Sequence, residues 1–281
     1  MVKECIKIRT KYAKLFKKCF PFGRGGEGPL VPSSVMQEFS YQNFESLPIL
    51  MNGSKIISES FEKYDIKPRW VFYDGDRPPL ELVHSVQQFP VMSSLINHIC
   101  GDIVSNDGYC AVYDNYNPYK LFRPKKRNLY MYCYKVTDPN NLGSLIRMAF
   151  GFNVSAIFLS DDCVSPFTER SIRSSRNYVL NIPIFHLPLQ DYNKVINQQL
   201  KCGTSLIADA SSESKIAIGD LKLKTQNTCL VLGNEHNGFS DDLQAISEID
   251  NHQFVYIPMK NNIDSFSVSH AGSILLYELS K

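Results

Sequence analysis

The chain of 281 residues lacks several features that would place a protein in a class at once. It holds no run of 18 apolar residues, which excludes a long apolar helix crossing a bilayer. Its eight cysteines, Cys5, Cys19, Cys100, Cys110, Cys133, Cys163, Cys202 and Cys229, include no Cys-x-x-Cys pair and no spacing suited to zinc. No metal site is therefore expected. Several cysteines sit inside apolar runs such as MYCYKV and NTCLVLG, the pattern of reduced core residues in an intracellular protein. The Gly-x-Gly-x-x-Gly spacing of dinucleotide sites is missing. The net charge is only +2, so no global field points to a nucleic-acid partner.

What charge there is lies in patches. Residues 1–24 carry Lys3, Lys7, Arg9, Lys11, Lys14, Lys17, Lys18 and Arg24 against the single Glu4, and Lys120, Arg123, Lys125, Lys126 and Arg127 form a second cluster. Both suit phosphate contacts, and both equally suit a solvated tail or linker. The basic N-terminus has apolar residues between its charges but no serine and no cleavage-site pattern, leaving an organellar targeting segment and an RNA-binding arm open. Residues 22–34, FGRGGEGPLVPSS, read as a flexible linker. Helix-like spacing over 54–64 and 80–88 and strands over 69–74 and 109–114 suggest a small α/β binding domain. The organisation expected is a basic, flexible segment over 1–45, that domain over 46–115, a basic linker over 116–128 and a larger domain over 129–281.

The larger domain is regular. Strands are predicted over 129–136, 155–160, 182–187, 204–208, 228–232 and 253–258, with helices over 141–151, 167–176, 191–200, 241–247 and 266–279. Such alternation implies an α/β fold with a mostly parallel sheet covered on both faces. Ligands of such sheets bind at the carboxyl ends of the strands.

Three segments fall there. In DPNNLGSLIRMAFG, residues 138–151, Asp138-Pro139-Asn140 is a turn and cap signal, and Leu142, Leu145, Ile146, Ala149 and Phe150 form one helical face. Asn141 and Arg147 lie off that face, and an Arg at a strand-end rim can grip a phosphate bidentately. In LVLGNEHNGF, residues 230–239, a strand runs into Gly233, Glu235 and Gly238, allowing a tight turn and a close backbone approach to a ligand. In IPMKNNIDSFSVSHAGSILLYEL, residues 257–279, a polar loop leads to an amphipathic helix with Val268, Ala271, Gly272, Leu275, Leu276 and Leu279 on one face. Asp264 and Ser265 are its expected N-caps, and the small pair Ala271 and Gly272 would admit another backbone.

DPNNLGSLIRMA, LVLGNEHNG and IPMKNNIDSFSVSHAG resemble, in order and spacing, the three motifs of the SpoU/TrmH branch of the SPOUT RNA methyltransferases. The resemblance covers residues 128–281, and residues 46–115 are more loosely similar to the L30e-like substrate-binding domain that often precedes it. It implies a C-terminal trefoil knot, a homodimer with sites at the subunit interface, and methyl transfer from S-adenosylmethionine to a ribose 2'-hydroxyl of RNA. Leu232, Gly233, Ile257, Met259, Phe266 and Ser267 match cofactor positions, and Asn141, Arg147, Glu235 and Ser265 match polar positions of the reaction centre. Arg173 and Arg176, in ERSIRSSRNYVL, and Lys125 and Lys126 would meet RNA. The N-terminal half is most similar to organellar large-subunit rRNA members, placing rRNA ahead of tRNA and a mitochondrion or other organelle ahead of the cytoplasm.

Three positions depart from the family pattern. Ser267 stands where asparagine is usual, His270 where a small apolar residue is common, and Asn177 where glycine is usual. Asparagine tolerates the left-handed backbone better than most residues. A catalytically silent RNA-binding relative and a metabolite-binding α/β domain remain alternatives.

Overall fold

The computed structural model describes residues 49–281 apart from 65, 83–85, 95, 97–106, 114–115, 117, 211–214, 224–226, 236 and 262. The segment over 1–45 and its linker lie outside the described residues. The chain divides into two compact units, and the described parts of these separate at residue 116.

In the first unit, β1 (Ile49–Asn52), α1 (Ser54–Tyr64), β2 (Trp70–Asp74), β3 (Gln87–Val91) and β4 (Tyr109–Tyr113) build a sheet in the order β1-β4-β2-β3. β4 is buried along its length and antiparallel to both neighbours, while β3 joins β2 in parallel. The main-chain N–H and the hydroxyl of Ser54 both donate to Asp107 Oδ2, at 2.7 and 2.6 Å, fixing the start of α1. On β2 the Trp70 ring lies under the Arg69 guanidinium, 4.3 Å from its centroid. Where a helix was expected over 80–88, the described residues form none: 80–82 are irregular and β3 begins at Gln87. The Gln88 side-chain amide bonds both main-chain groups of Leu80, Phe89 stacks on Phe72 at 5.7 Å, and β3 pairs with β2, so tertiary contacts override the local spacing.

The second unit contains β5 (Leu129–Cys133), α2 (Pro139–Gly151), β6 (Ala156–Leu159), α3 (Glu169–Ser175), β7 (Ile184–His186), β8 (Thr204–Ala208), β9 (Ile216–Ala217), β10 (Thr228–Leu232), α4 (Leu243–Ser247), β11 (His252–Tyr256) and α5 (Val268–Ser280). Its seven strands run in the order β7-β6-β5-β10-β8-β11-β9, and every pairing is parallel. β9 escaped the sequence reading because two residues carry no periodicity. The helix expected over 191–200 is a 3-10 turn followed by a π-helix, Asn193–Gln199. Part of the stretch read as a linker is packed: Pro118–Leu121 form a helical turn, and Phe122 and Asn128 are buried.

β5 is covered on both faces. Tyr130 and Tyr132 join Phe158, Phe185 and Tyr192 in an aromatic cluster, while Met131 and Cys133, which point the other way, are equally buried. The Tyr132 and Tyr192 rings meet edge to face at 5.0 Å. Their hydroxyls donate to Leu187 O at 3.1 Å and Ser205 Oγ at 3.0 Å, so the buried polar tips are satisfied. Burial pushes the Cys163 and Cys202 thiols up to about 11, leaving them protonated and unreactive at neutral pH.

α3 and α5 both pack against α2, and glycine decides how closely. A Cβ at Gly143 would stand 2.5 Å from Ser171 O and 1.8 Å from Ser174 Oγ, so the backbones of α2 and α3 touch there. At Gly272 the neighbours are the ends of Leu145 and Leu232, at 2.4 and 3.0 Å, rather than the backbone expected. Gly143→Ala should therefore destabilise the unit by about 1–3 kcal/mol. A urea unfolding curve with an unchanged midpoint would refute this.

Candidate functional site

The carboxyl ends of β10, β8 and β11 are adjacent, because β8 pairs with both of the others. The segments that leave them, together with the loop before α5, enclose a cavity of about 320 Å³. Its apolar lining includes Leu232, Phe239, Val255 and Leu275, and its polar groups include Asp209, Glu235 and Ser265.

Each segment is locked by its own chemistry. After β10 the chain folds back on itself, with Asn234 and Gly238 exchanging main-chain hydrogen bonds at 3.0 and 3.1 Å. Gly238 has φ +56°, and a Cβ at Gly233 would meet the Gly238 backbone at 2.9 Å, so both glycines serve this turn. The close backbone approach seen at Gly233 is thus to its own loop. The same loop is tied to the one after β5. Glu235 Oε1 accepts from Asp138 N at 3.0 Å, Glu235 Oε2 accepts from Thr137 N at 3.2 Å, and Asn234 Nδ2 donates to Lys135 O at 2.7 Å. Lys135, itself at φ 52°, donates its N–H to Ser160 Oγ and pairs through Nζ with Asp242 Oδ2 at 2.6 Å. The carboxylate raises the Lys135 pKa, and the ammonium lowers that of Asp242. Lys135, Asn234 and Asp242 were missed in the sequence; Asn234 directly after Gly233 is the one local signal that could have drawn attention.

α2 begins as the sequence indicates. Asp138 caps it, accepting from Asn141 N at 2.8 Å, and Pro139 occupies the first turn, where a missing N–H costs nothing. α5 begins later than expected. Its N-cap is Ser267, not Asp264 or Ser265, because the Ser267 hydroxyl accepts from His270 N and the chain over 263–267 is irregular. The two helix starts are joined: Ser269 Oγ donates to Asn141 Oδ1 at 2.8 Å, and Ser267 Oγ lies 3.1 Å from Ser269 Oγ and 2.6 Å from His270 Nδ1.

Leu232, Gly233, Ile257, Met259 and Phe266 line the cavity, as do Glu235 and Ser265. Ser267 does not line it, its hydroxyl being engaged in capping α5. Asn141 is half-buried at the α2–α5 junction, and Arg147 is exposed farther along α2; neither lines the cavity of its own chain. Arg173 and Arg176 are exposed on and just after α3, the helix packed on α2. Asn177 has φ 67°, the left-handed conformation its residue type tolerates. Lys125 and Lys126 are exposed, and the Lys125 ammonium donates to Asn153. They precede β5 and so lie at the amino edge of the sheet, roughly 16 Å along a five-residue strand from the cavity edge. Ala208 and Asp209, the contribution of β8, were not foreseen, although the rule that ligands gather at parallel strand ends points to them. Among the described residues, no group of three His, Cys, Asp or Glu side chains is placed to hold a metal ion.

The chain is similar to known proteins over most of its length. It is 22% identical to the mitochondrial rRNA methyltransferase 3A of Danio rerio across 88% of this chain and 66% of that protein. It is 21% identical to a 23S rRNA (guanosine(2553)-2'-O)-methyltransferase of Bacillus subtilis across 82% of this chain and 87% of that one. Among solved structures, the SpoU methyltransferase AviRb from Streptomyces viridochromogenes, in complex with AdoMet, superposes with a TM-score of 0.68 at 22% identity, covering 83% of this chain and 89% of that one. An AdoMet-bound rRNA methyltransferase from Sinorhizobium meliloti gives 0.65 at 20% identity, covering 82% and 86%. The model of the SpoU rRNA Methylase family matches residues 128–277, more than half of the chain, and the protein belongs to that family.

Proposed function

We propose that the protein transfers a methyl group from S-adenosylmethionine to a ribose 2'-hydroxyl of RNA, with rRNA ahead of tRNA as substrate. The observation that carries this reading is the cavity itself, walled by the 232–240 and 255–266 segments at the ends of three neighbouring parallel strands. Its volume and mainly apolar lining suit a nucleoside-sized group with a few polar contacts. When bound, S-adenosylmethionine supplies a methyl group on a sulfonium that needs no metal to activate it. The chain's own residues must hold it, align the ribose oxygen and help remove a proton. Glu235 acts as a positioning residue, since both its carboxylate oxygens accept main-chain N–H groups. A guanidinium keeps its protons at any working pH, so Arg147 binds the phosphate beside the target ribose and stabilises developing negative charge.

The reading includes a homodimer with sites at the subunit interface. It is supported by the position of Arg147 outside the cavity of its own chain, to be presented to a second copy, and by the apolar residues exposed on α5, Ile274 and Tyr277. Phe152, at the end of α2, lies beside Tyr277 with ring centroids 6.1 Å apart, extending that surface. The cavity loops would then be the crossings of a trefoil knot, one of the rare exceptions to unknotted topology. The first unit, in the position of the L30e-like domain, would position RNA. The mitochondrial relative supports an organellar location, with the cytoplasm as the alternative.

Labelled S-adenosylmethionine incubated with total and organellar RNA should give incorporation resistant to alkaline cleavage. Arg147→Ala should reduce it about 10²–10³-fold with cofactor affinity retained. Cofactor binding with no transfer to any RNA would instead favour a silent RNA-binding relative. Glu235→Gln replaces one acceptor by a donor facing a main-chain N–H. It should cost about 1–3 kcal/mol of stability and weaken cofactor binding in calorimetry. Sedimentation should show twice the 32.0 kDa chain mass, and a combined Ile274→Asp and Tyr277→Asp variant should sediment as a monomer with impaired transfer.

A further inference from the structure

The reading above leaves the 2'-hydroxyl proton without an acceptor, because Arg147 already carries all the protons it can hold. The hydrogen-bonded chain across the α2–α5 junction offers one. Its direction follows from counting hydrogens. Ser269 has a single hydroxyl hydrogen and donates it to Asn141 Oδ1 at 2.8 Å. The hydrogen between the two serines, 3.1 Å apart, must then come from Ser267. Ser267 has none left for His270 Nδ1, 2.6 Å away, so Nδ1–H donates to Ser267 Oγ. A neutral imidazole protonated at Nδ1 is bare at Nε2. His270 is an exposed residue of the single chain.

The position suits the reaction. Ser265, Phe266, Val268 and Ala271 all line the cavity, so Ser267 and His270, which do not, alternate in sequence with residues that do. The groups hydrogen-bonded along the chain are uncharged: Ser267 and Ser269 on α5, and Asn141 on α2. The charged side chains on the elements that meet there are Asp138 capping α2, Arg147 farther along it, Glu235 bonded to the Asp138 main chain, Lys260 and Asp264 before α5, and Glu278 near its far end, with Asp220 on the 3-10 turn that packs on α5.

We propose that His270 Nε2 accepts the proton of the ribose 2'-hydroxyl, an inference that rests on the methyl-transfer reading. The oxygen–methyl bond forms as the sulfur–methyl bond breaks, and the electron pair of the broken bond stays on sulfur, which becomes a neutral thioether. The O–H pair stays on oxygen as its proton passes to Nε2. The positive charge that starts on the sulfonium ends on the imidazolium, which returns its proton to solvent. No oxidant, reductant or metal is needed. His270 thus supplies, at a position where the family pattern has a small apolar residue, a base that arginine cannot be.

The test uses the full chain, an unmodified large-subunit rRNA transcript and labelled S-adenosylmethionine under single-turnover conditions. A protonated imidazole cannot accept a further proton, so the wild-type rate should fall as the pH is lowered. His270→Gln should be slower by about 10²–10⁴-fold and lose that acid-side fall, with cofactor affinity unchanged in calorimetry. Separately, nitrogen NMR of the cofactor-free protein should show His270 as the Nδ1–H tautomer, and Ser267→Ala should abolish that preference. A His270→Gln variant with the wild-type rate and pH profile overturns the proposal while leaving methyl transfer intact, and an Nε2–H tautomer in the wild type also overturns it. A wild type that binds cofactor but methylates no RNA overturns the functional reading and this inference together.

Discussion

In a parallel sheet the strand ladder aligns the strand ends but leaves the loops beyond them unconnected, and the site depends on what joins those loops. Here the junction is largely one carboxylate. Glu235, in the turn after β10, accepts the main-chain N–H groups of Thr137 and Asp138 in the loop after β5, while its neighbour Asn234 bonds Lys135 O. Charge-assisted bonds to main-chain donors are among the stronger contacts available to a carboxylate. Asp138 in turn caps α2, so the position of that helix, and of Asn141 on it, is referred back to β10. The Lys135–Asp242 pair fastens the same loop to the segment leading into α4. Two stretches distant in sequence, 135–141 and 234–242, are thereby set against one another by a few polar groups.

The central strands were legible in the sequence because their apolar runs are bounded by turn residues. β8 and β10 fall over the residues expected, and Asp138-Pro139 marked the start of α2. The start of α5 was less legible: three hydroxyl or carboxylate residues within four positions, Asp264, Ser265 and Ser267, can each cap a helix, and only the engaged hydroxyl distinguishes them. β3 was misread because residues 80–88 carry helix-like spacing while the pairing of β3 with β2, a tertiary contact, decides the conformation of Gln87–Val91. The short β9 and the π-helical stretch over Asn193–Gln199 are set by tertiary packing and leave little local trace.

The candidate site was legible in a different way. Seven of the ten residues assigned to the cofactor or reaction centre line one cavity, although they come from separate segments of the chain. Asn141, Arg147 and Ser267 do not, and each for its own reason. Asn141 is occupied at the helix junction, Arg147 is exposed farther along α2, and Ser267 is committed to a cap. Sequence spacing identifies residues that share a motif; which of them share a volume depends on packing at α2, α3 and α5. The α2–α3 contact turns on Gly143, which the sequence presents as an unremarkable helical glycine.

The aromatic residues divide unequally between the two units. Trp70, the single tryptophan, lies on β2 of the first unit beneath the Arg69 guanidinium, whereas the sheet of the second is built around buried tyrosines and phenylalanines. Emission excited at the red edge of the absorption band therefore comes from the first unit alone. The near-ultraviolet circular dichroism of Tyr130, Tyr132 and Tyr192, held rigidly among their neighbours, reports chiefly on the second. One native protein, without added dyes or labels, thus carries a separate optical signal for each of its halves.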